Sequence, residues 1–426
     1  MSARLTPLAL SITTVGAWGL VLAVFSGRAE LAVVVVPLLL ALLLTARAPA
    51  SPDWSIAHAL SAARLFEGER VMVTVTVVAG EPVALLELFE PLPPGLRVVS
   101  GYNRGLFTLA RGQRVEWKYE IECVRRGRVS LGTVHARCWD RAGLRAAETA
   151  MRAPWQLRVY PSVLPLRRLP GPRRTQSSVG NYVAPAVGEG IEPGDIRAFV
   201  PGDRIRHVNW RASLRFRRLF VTQYHLERNA DVILMLDTLA EAGAAPDTTV
   251  DASIRAAAAL ATAYLARKDR VGLIEYCGPF RWVRPDSGRA HHERLLEALL
   301  RADVMFSYVT QEVALVPRRV LPPQALVIAI SPLLDARFEK AVVDLAARGF
   351  DVAVLSPSPI PLVRRARRAS PTVDLACRLW ALERNARAEA LRRLGIAIVD
   401  WDPAEPLQAA LGGLTGARRR RAAAAR

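Results

Sequence analysis

The chain has 426 residues, 51% of them hydrophobic, and a formal charge of +19; 55 of its 58 basic side chains are arginine. No zinc-finger spacing, RNA-binding aromatic pair or helix-turn-helix pattern accompanies that charge, which excludes a specific nucleic-acid reader. The absence of GxxxxGK[ST], GxSxG, HExxH and a dinucleotide fingerprint after a strand excludes the familiar hydrolase and nucleotide-binding signatures.

Residues 5–26 and 31–46 carry no charged side chain and are separated only by Gly27, Arg28, Ala29 and Glu30. Crossing a bilayer core takes about 20 helical residues, so residues 1–49 are expected to form a transmembrane helical hairpin. A cleaved signal peptide would show a basic start, a short apolar run and a small-residue cleavage site; here a second apolar run follows the first. Pro37 is tolerable in a membrane helix whose neighbours absorb the freed carbonyl. Arg4 precedes the first run and Arg47 and Arg64 follow the second, while Arg28 and Glu30 balance in the loop. That bias predicts a multi-pass protein of the inner (plasma) membrane with both termini cytoplasmic. Cys123, Cys138, Cys277 and Cys377 lack ligand-like spacing and suit that compartment as free core thiols.

Residues 50–160 turn to period two. Val71, Val73, Val75 and Val77 alternate with Met72, Thr74 and Thr76, as a two-faced strand requires. Further strands are expected at 83–89, 97–99, 113–123, 127–136 and 156–160, with turns at Glu81-Pro82, 91–95, 101–105 and Arg126-Gly127. Short strands at this spacing predict a small sandwich of the immunoglobulin-like kind.

Residues 161–229 combine a Pro-, Arg-, Ser- and Gly-rich linker (161–190) with a denser segment. In Pro201-Gly202-Asp203 the proline presets one turn dihedral and the glycine takes the left-handed one. The Asp203 carboxylate can then receive backbone hydrogens or pair with Arg197 or Arg206. Asn209 and Trp210 open a short helical turn through Ser213, and 219–224 reads as a strand. Arginine forks and tryptophan carry disproportionate contact energy, so the expected interaction residues are Arg197, Asp203, Arg206, Asn209, Trp210, Arg211, Ser213 and Arg215. For Trp210 and Asp203 the competing reading is an intramolecular latch, with Trp210 packed between the two domains while Asp203 and Arg206 pair internally. This segment resembles the bacterial domain-of-unknown-function 58 family at Gly190, Arg197, Pro201-Gly202-Asp203, Arg206, Asn209-Trp210, Arg211-Ala212-Ser213, Arg215, Leu219, Val221 and Glu227. Arg126, Gly127, Gly132, Asp140, Gly143 and Leu144 carry a second, weaker likeness. The family has no established reaction; the resemblance implies a MoxR-like AAA+ ATPase as partner, in assembly or maturation of other proteins.

From residue 230 to 410 strands and helices alternate: strands at 231–236, 270–276, 325–330, 351–356 and 396–399, helices at 250–267, 290–300, 335–348 and 375–394. That order predicts an α/β domain whose mostly parallel sheet is covered on both faces, with the loops after Asp237, Glu275 and Ser331 at one edge. It looks like a von Willebrand factor A-type domain, which this family is thought to contain. Such domains hold a metal on an Asp-x-Ser-x-Ser loop; here Leu239 and Ala240 follow Asp237 and offer no oxygen to Mg²⁺, so no metal and no cofactor is expected. The arginine-rich end, 411–426, is expected to be a disordered solvated tail.

The function these features predict is a membrane-anchored scaffold or adaptor without enzymatic activity. Its partners would be the ATPase, membrane lipids and possible further copies of itself. The alternative is a hydrolase built on Asp203, His207 and Ser213, or a metal-dependent adhesion-type module at Asp237.

Overall fold

The computed structural model describes residues 2–45, 54–139, 143–171, 176–201, 203, 205–305, 307 and 312–424. The chain divides into two compact units, Met1–Val159 and Tyr160–Arg426.

In the first unit β1 (Ser2–Leu5) leads into α1 (Pro7–Ser26) and α2 (Ala29–Thr45). Thr6 caps α1 by accepting the Ala9 N–H, and Gly27, at φ 67°, ends it in the left-handed conformation that glycine adopts without strain. The buried positions of α1 are Ala9, Gly16 and Ala23. Gly19 faces Val35 so closely that a Cβ there would lie 2.5 Å from Val35 Cγ2, so the glycine makes room for the valine side chain of α2. By length and composition α1 can cross a membrane; α2, with 17 residues and Pro37 inside, stands at the short end of the spanning range.

The strands that follow are β2 (Trp54–Leu60), β3 (Arg64–Phe66), β4 (Arg70–Ala79), β5 (Val83–Phe89), β6 (Leu96–Ser100), β7 (Arg104–Leu109), β8 (Arg114–Cys123), β9 (Gly127–Trp139) and β10 (Arg145–Tyr160). They form two antiparallel sheets, β1-β10-β9-β5-β7 with β3 beside β10, and β2-β4-β8-β6. The alternation read from the sequence sets which side faces inward: Val71, Val73, Val75 and Val77 of β4 join Leu86, Leu88, Ile121 and Leu157 in one shared core. Inside it lies a charged group. Glu90 is fully buried, and its carboxylate accepts from Tyr119 Oη at 2.6 Å, His58 Nε2 at 3.0 Å and the Gly132 N–H at 2.8 Å. The period-two pattern gave no sign of it.

In the second unit β11 (Gln176–Ala198) pairs antiparallel with β12 (Phe220–Asn229), and α3 (Trp210–Phe216) sits between them in the chain. A strand therefore occupies much of the stretch expected to be linker. The main body has β13 (Asp231–Asp237), a two-residue pair β14 (Gly243–Ala244) and β15 (Asp247–Thr248), α4 (Thr249–Ala266), β16 (Arg270–Tyr276), β17 (Arg281–Asp286), α5 (Arg289–Arg301), β18 (Leu326–Ile330), α6 (Ala336–Ala347), β19 (Asp351–Pro357), α7 (Pro359–Ala366), α8 (Pro371–Arg393), β20 (Ala397–Trp401) and α9 (Leu407–Ala424). The sheet order is β17-β16-β13-β18-β19-β20, parallel except for the edge strand β17. Every residue of β13 is buried: Val232, Leu234 and Leu236 face one core with α4 and α5, and Ile233 and Met235 face the other with α6. Two covered faces explain its unbroken apolar run.

The arginine-rich end corrects the expectation of a disordered tail. Residues 407–424 are helical, because Leu407, Leu411 and Leu414 recur at helical spacing and enter the core of the sheet. Arg418 is buried, pairs with Asp351 and donates to the Gly171 carbonyl at 2.7 Å. The four cysteines are free and buried.

Candidate functional site

The family-like segment is built on a short, tightly tied support. Asp203 accepts the Val200 N–H at 2.8 Å, and its own N–H donates to the Val200 carbonyl at 3.0 Å, closing the turn. Its carboxylate takes a two-pronged bond from Arg197, Nη1 to Oδ2 at 2.7 Å and Nη2 to Oδ1 at 2.6 Å. The Arg197 guanidinium, with the Val200 N–H, holds the Asp203 carboxyl below the usual aspartate range. Gly202 lies outside the described residues, as do Asp140 and Arg47.

Asn209 then caps α3: its Oδ1 accepts the Ala212 N–H at 3.0 Å, its Nδ2 reaches Thr222 Oγ1 at 3.1 Å, and its backbone N–H reaches Phe220 O at 2.8 Å. Ser213 is buried, and its hydroxyl accepts the Phe220 N–H at 2.9 Å. Arg217 ends the helix at φ 52°. Asn209 and Ser213 thus bind the helix to β12, and Val208 is buried too, while the larger side chains of the segment face outward.

What faces outward is apolar and cationic. Trp210 is 60% exposed. Ile205, Leu214 and Phe216 of the same segment are exposed too, as are Arg206, Arg211, Arg215, Arg217 and Arg218. Arg215 lies over the Phe216 ring at 5.8 Å and Arg218 over Phe220 at 5.0 Å, within the range at which a guanidinium is attracted to an aromatic face. Reading the sequence missed the aliphatic members of this surface, because Trp210 and Leu214 at i and i+4 look the same whether the helix buries or displays them.

The hydrolase alternative finds its residues otherwise engaged. Asp203 is held by Arg197, His207 Nε2 accepts from Arg206 Nε at 3.2 Å, and Ser213 is fastened to Phe220.

At the carboxyl end of the parallel sheet, Asp237 is 1% exposed. Ser331 Oγ, at the end of β18, donates to its Oδ2 at 2.5 Å, and the Leu239 N–H donates to Oδ1 at 3.0 Å. Burial pushes the Asp237 carboxyl up to about 7 against the pull of those two bonds. Nearby, Asp335 caps α6 by accepting the Arg337 N–H at 2.8 Å and forks with the Arg337 guanidinium, Nη2 to Oδ2 at 2.6 Å. Arg337 Nη1 donates to Ser307 O at 2.5 Å. The cation in this network whose charge acts on Asp237 is the Arg337 guanidinium. Among the described residues no group of three or more His, Cys, Asp or Glu is arranged to hold a metal. Glu275, also at this edge, is buried and lies 3.7 Å from Arg281 Nη1.

Residues 195–358, spanning the turn, α3 and the body from β13 to β19, match the family model described as "Protein of unknown function DUF58". Uncharacterized proteins of Mycobacterium tuberculosis (strain ATCC 25618 / H37Rv) and Mycobacterium bovis are each 28% identical over 123 residues, which is 28% of this chain and 39% of theirs. Among solved structures, the cupredoxin domain of amoB from Nitrosocaldus yellowstonii is 16% identical, with 26% of this chain and 88% of that chain covered and a TM-score of 0.18. Escherichia coli alpha-2-macroglobulin is likewise 16% identical, covering 34% and 20%, with a TM-score of 0.22. Scores at that level establish no common architecture.

Proposed function

We propose that the chain is a membrane-anchored adaptor without enzymatic activity, and that the surface around Trp210 docks a protein partner. The observation that carries this reading is the exposure of Trp210 on a support whose polar groups are internally satisfied. A folded chain gains nothing from displaying an indole and three large aliphatic or aromatic side chains to water, whereas interfaces place such groups at their centre with arginine around them. The excess of arginine fits a partner with an acidic face, and the family resemblance makes a MoxR-like AAA+ ATPase the leading candidate. In the same reading the parallel-sheet body is a von Willebrand factor A-like module in which Arg337 and Asp335 stand in place of a metal.

Two membrane passes, with both ends on the cytoplasmic side, complete the proposal. Supporting it, β1 pairs with β10 from Ser2↔Glu148 to Leu5↔Arg145, and the Thr6 N–H donates to Leu144 O at 3.0 Å. The entrance to α1 is therefore stitched to the same β-rich unit that the chain re-enters after α2, which is compatible with a hairpin of two passes.

The test is binding of the purified, detergent-solubilised full chain to the candidate ATPase across a salt series. Affinity is expected to fall steeply between low and high salt and to lose that dependence when Arg211 and Arg215 are changed to Glu. Affinity indifferent to salt and to both substitutions removes the surface from the docking role.

A further inference from the structure

Helix α8 buries one face and displays an apolar stripe on the other. Its buried positions, Cys377, Arg384 and Leu391, recur every seven residues and face the body of the domain. Leu375, Leu379 and Leu382 are 58%, 59% and 67% exposed, and Ala386 after them is exposed too. At 3.6 residues per turn the second stripe lies roughly 170° around the helix from the first. Three leucines aligned on the outer face of a 23-residue helix are not the scatter of single apolar residues that any surface carries.

The spacing identifies the occupant. Intervals of four, three and four place Leu375 and Leu382 at d positions and Leu379 and Ala386 at a positions of a heptad, the seam by which two helices interlock. Arg378 then falls at g and Glu383 at the following e. In a parallel, in-register pair each g residue meets the e residue five positions on in the other helix, so Arg378 of each chain would face Glu383 of the other, twice over. An antiparallel pair would set g against g and e against e, giving arginine against asparagine (Asn385) and glutamate against glutamate or alanine. The charges on the flanks therefore match a second copy of this chain, and only in the parallel sense. Glu383 already holds Arg387 within the helix at 2.6 Å, which orients the carboxylate and leaves it room for a second donor.

We propose that α8 is a self-association surface that pairs with α8 of a second copy as a parallel two-stranded contact. Two heptads bury far less than the roughly 800 Å² per partner of a freestanding complex, so the contact is weak in solution. It becomes effective when both chains share a membrane, which confines them to a high local concentration; in that respect the inference rests on the anchoring reading.

The test uses the full chain reconstituted in vesicles, with single cysteines introduced on α8 and oxidation by copper phenanthroline. The native cysteines are buried, which keeps the background low. Leu379→Cys and Leu382→Cys are each expected to form disulfide-linked dimers, because equivalent a and d positions of a parallel pair come within disulfide range. Asp374→Cys, exposed but off the seam, is expected to cross-link at least several-fold less. Adding Arg378→Glu or Glu383→Arg to the Leu379→Cys chain is expected to cut the yield several-fold, and adding both to restore it. Loss of helix propensity or of the Arg387 contact cannot explain such a restoration. Equal cross-linking at Asp374→Cys, no cross-linking on the seam, or a double reversal no better than either single change overturns the proposal. Recovery of the chain in the vesicle fraction is scored in the same samples, so failure of the anchor is distinguished from failure of the pairing.

Discussion

Replacing Asp237 by Asn separates the cost of a buried charge from the rest of the second unit. The folded carboxyl titrates at about 7, against 3.8 for an ordinary aspartate, and burial is the leading cause. A raised folded value means that the native state holds the proton more tightly than the unfolded chain. The associated stability is complete below about pH 4 and is lost as pH rises towards 7. Three units amount to about 4 kcal/mol at full ionisation, and the interval from pH 5 to pH 8 accounts for about 2–3 kcal/mol of it. Asn keeps the size of the side chain and an oxygen for the Leu239 N–H, and it does not titrate. The assay is pulsed hydrogen exchange over a urea series, read in peptides covering β13, which reports on this unit alone. The variant is expected to gain about 2–3 kcal/mol relative to the native chain between pH 5 and pH 8. A constant difference across that range, or a native chain that becomes more stable relative to the variant as pH rises, refutes the reasoning.

Other groups give predictions of the opposite or of no pH sign. Burial by itself would raise Glu90, but the bonds from His58, Tyr119 and the Gly132 N–H outweigh it and hold the carboxyl below its ordinary value; its contribution is present above about pH 4.5 and lost on acidification through the lowered value. Glu90→Ala should cost about 3–5 kcal/mol in the β-rich unit, measured by the same exchange method in β4 and β8 peptides. Arg384 joins three points at the sheet edge, bonding the Pro332 carbonyl, Ser356 Oγ at 3.0 Å and Asp400 Oδ1 at 2.6 Å, so Arg384→Ala should cost about 2–3 kcal/mol in the second unit by urea midpoint. Asp203 carries its negative charge to lower pH than a free aspartate, so protection of the Val200 amide, which donates to that carboxylate, should persist through pH 4 and fade in more acid solution; in Arg197→Ala it should fade at higher pH. Isothermal titration with Mg²⁺ should give no micromolar, Asp237-dependent isotherm, since Leu239 and Ala240 supply no ligands.

Much of the α/β body was legible because each buried strand is an apolar run ending at a polar residue and each helix repeats near 3.6: β13, β16, β18 and β19 lie where the pattern put them, to within a residue or two. What escaped was what periodicity does not encode. The edge strand β17 has four arginine, aspartate or tryptophan residues in six and no apolar alternation to announce it. Leu407, Leu411 and Leu414 were hidden by Gly412, Gly413, Gly416 and the arginines that follow, so α9 read as a tail. At the signature the turn, the Asn209 cap and the Arg197–Asp203 pair are local, and spacing suffices to suggest them. The outward aim of Trp210, Leu214 and Phe216 depends on where β12 runs, which no short window contains. The approach of Asp237 to Ser331 links residues 94 positions apart, and the matching of Arg378 with Glu383 of another copy becomes visible only once the buried face of α8 is known.

In the docking proposal an exposed tryptophan on an arginine-rich, internally tied turn binds a protein partner of a membrane-held chain. The direct measurement is the affinity of the full chain and of its Trp210→Ala variant for the candidate ATPase, with folding of both checked by hydrogen exchange in β13. Because Trp210 is exposed, the variant should keep its stability within about 0.5 kcal/mol while affinity falls about 30-fold, the loss typical of a central aromatic anchor. Equal affinity in a variant that is equally well folded removes Trp210 from the docking role.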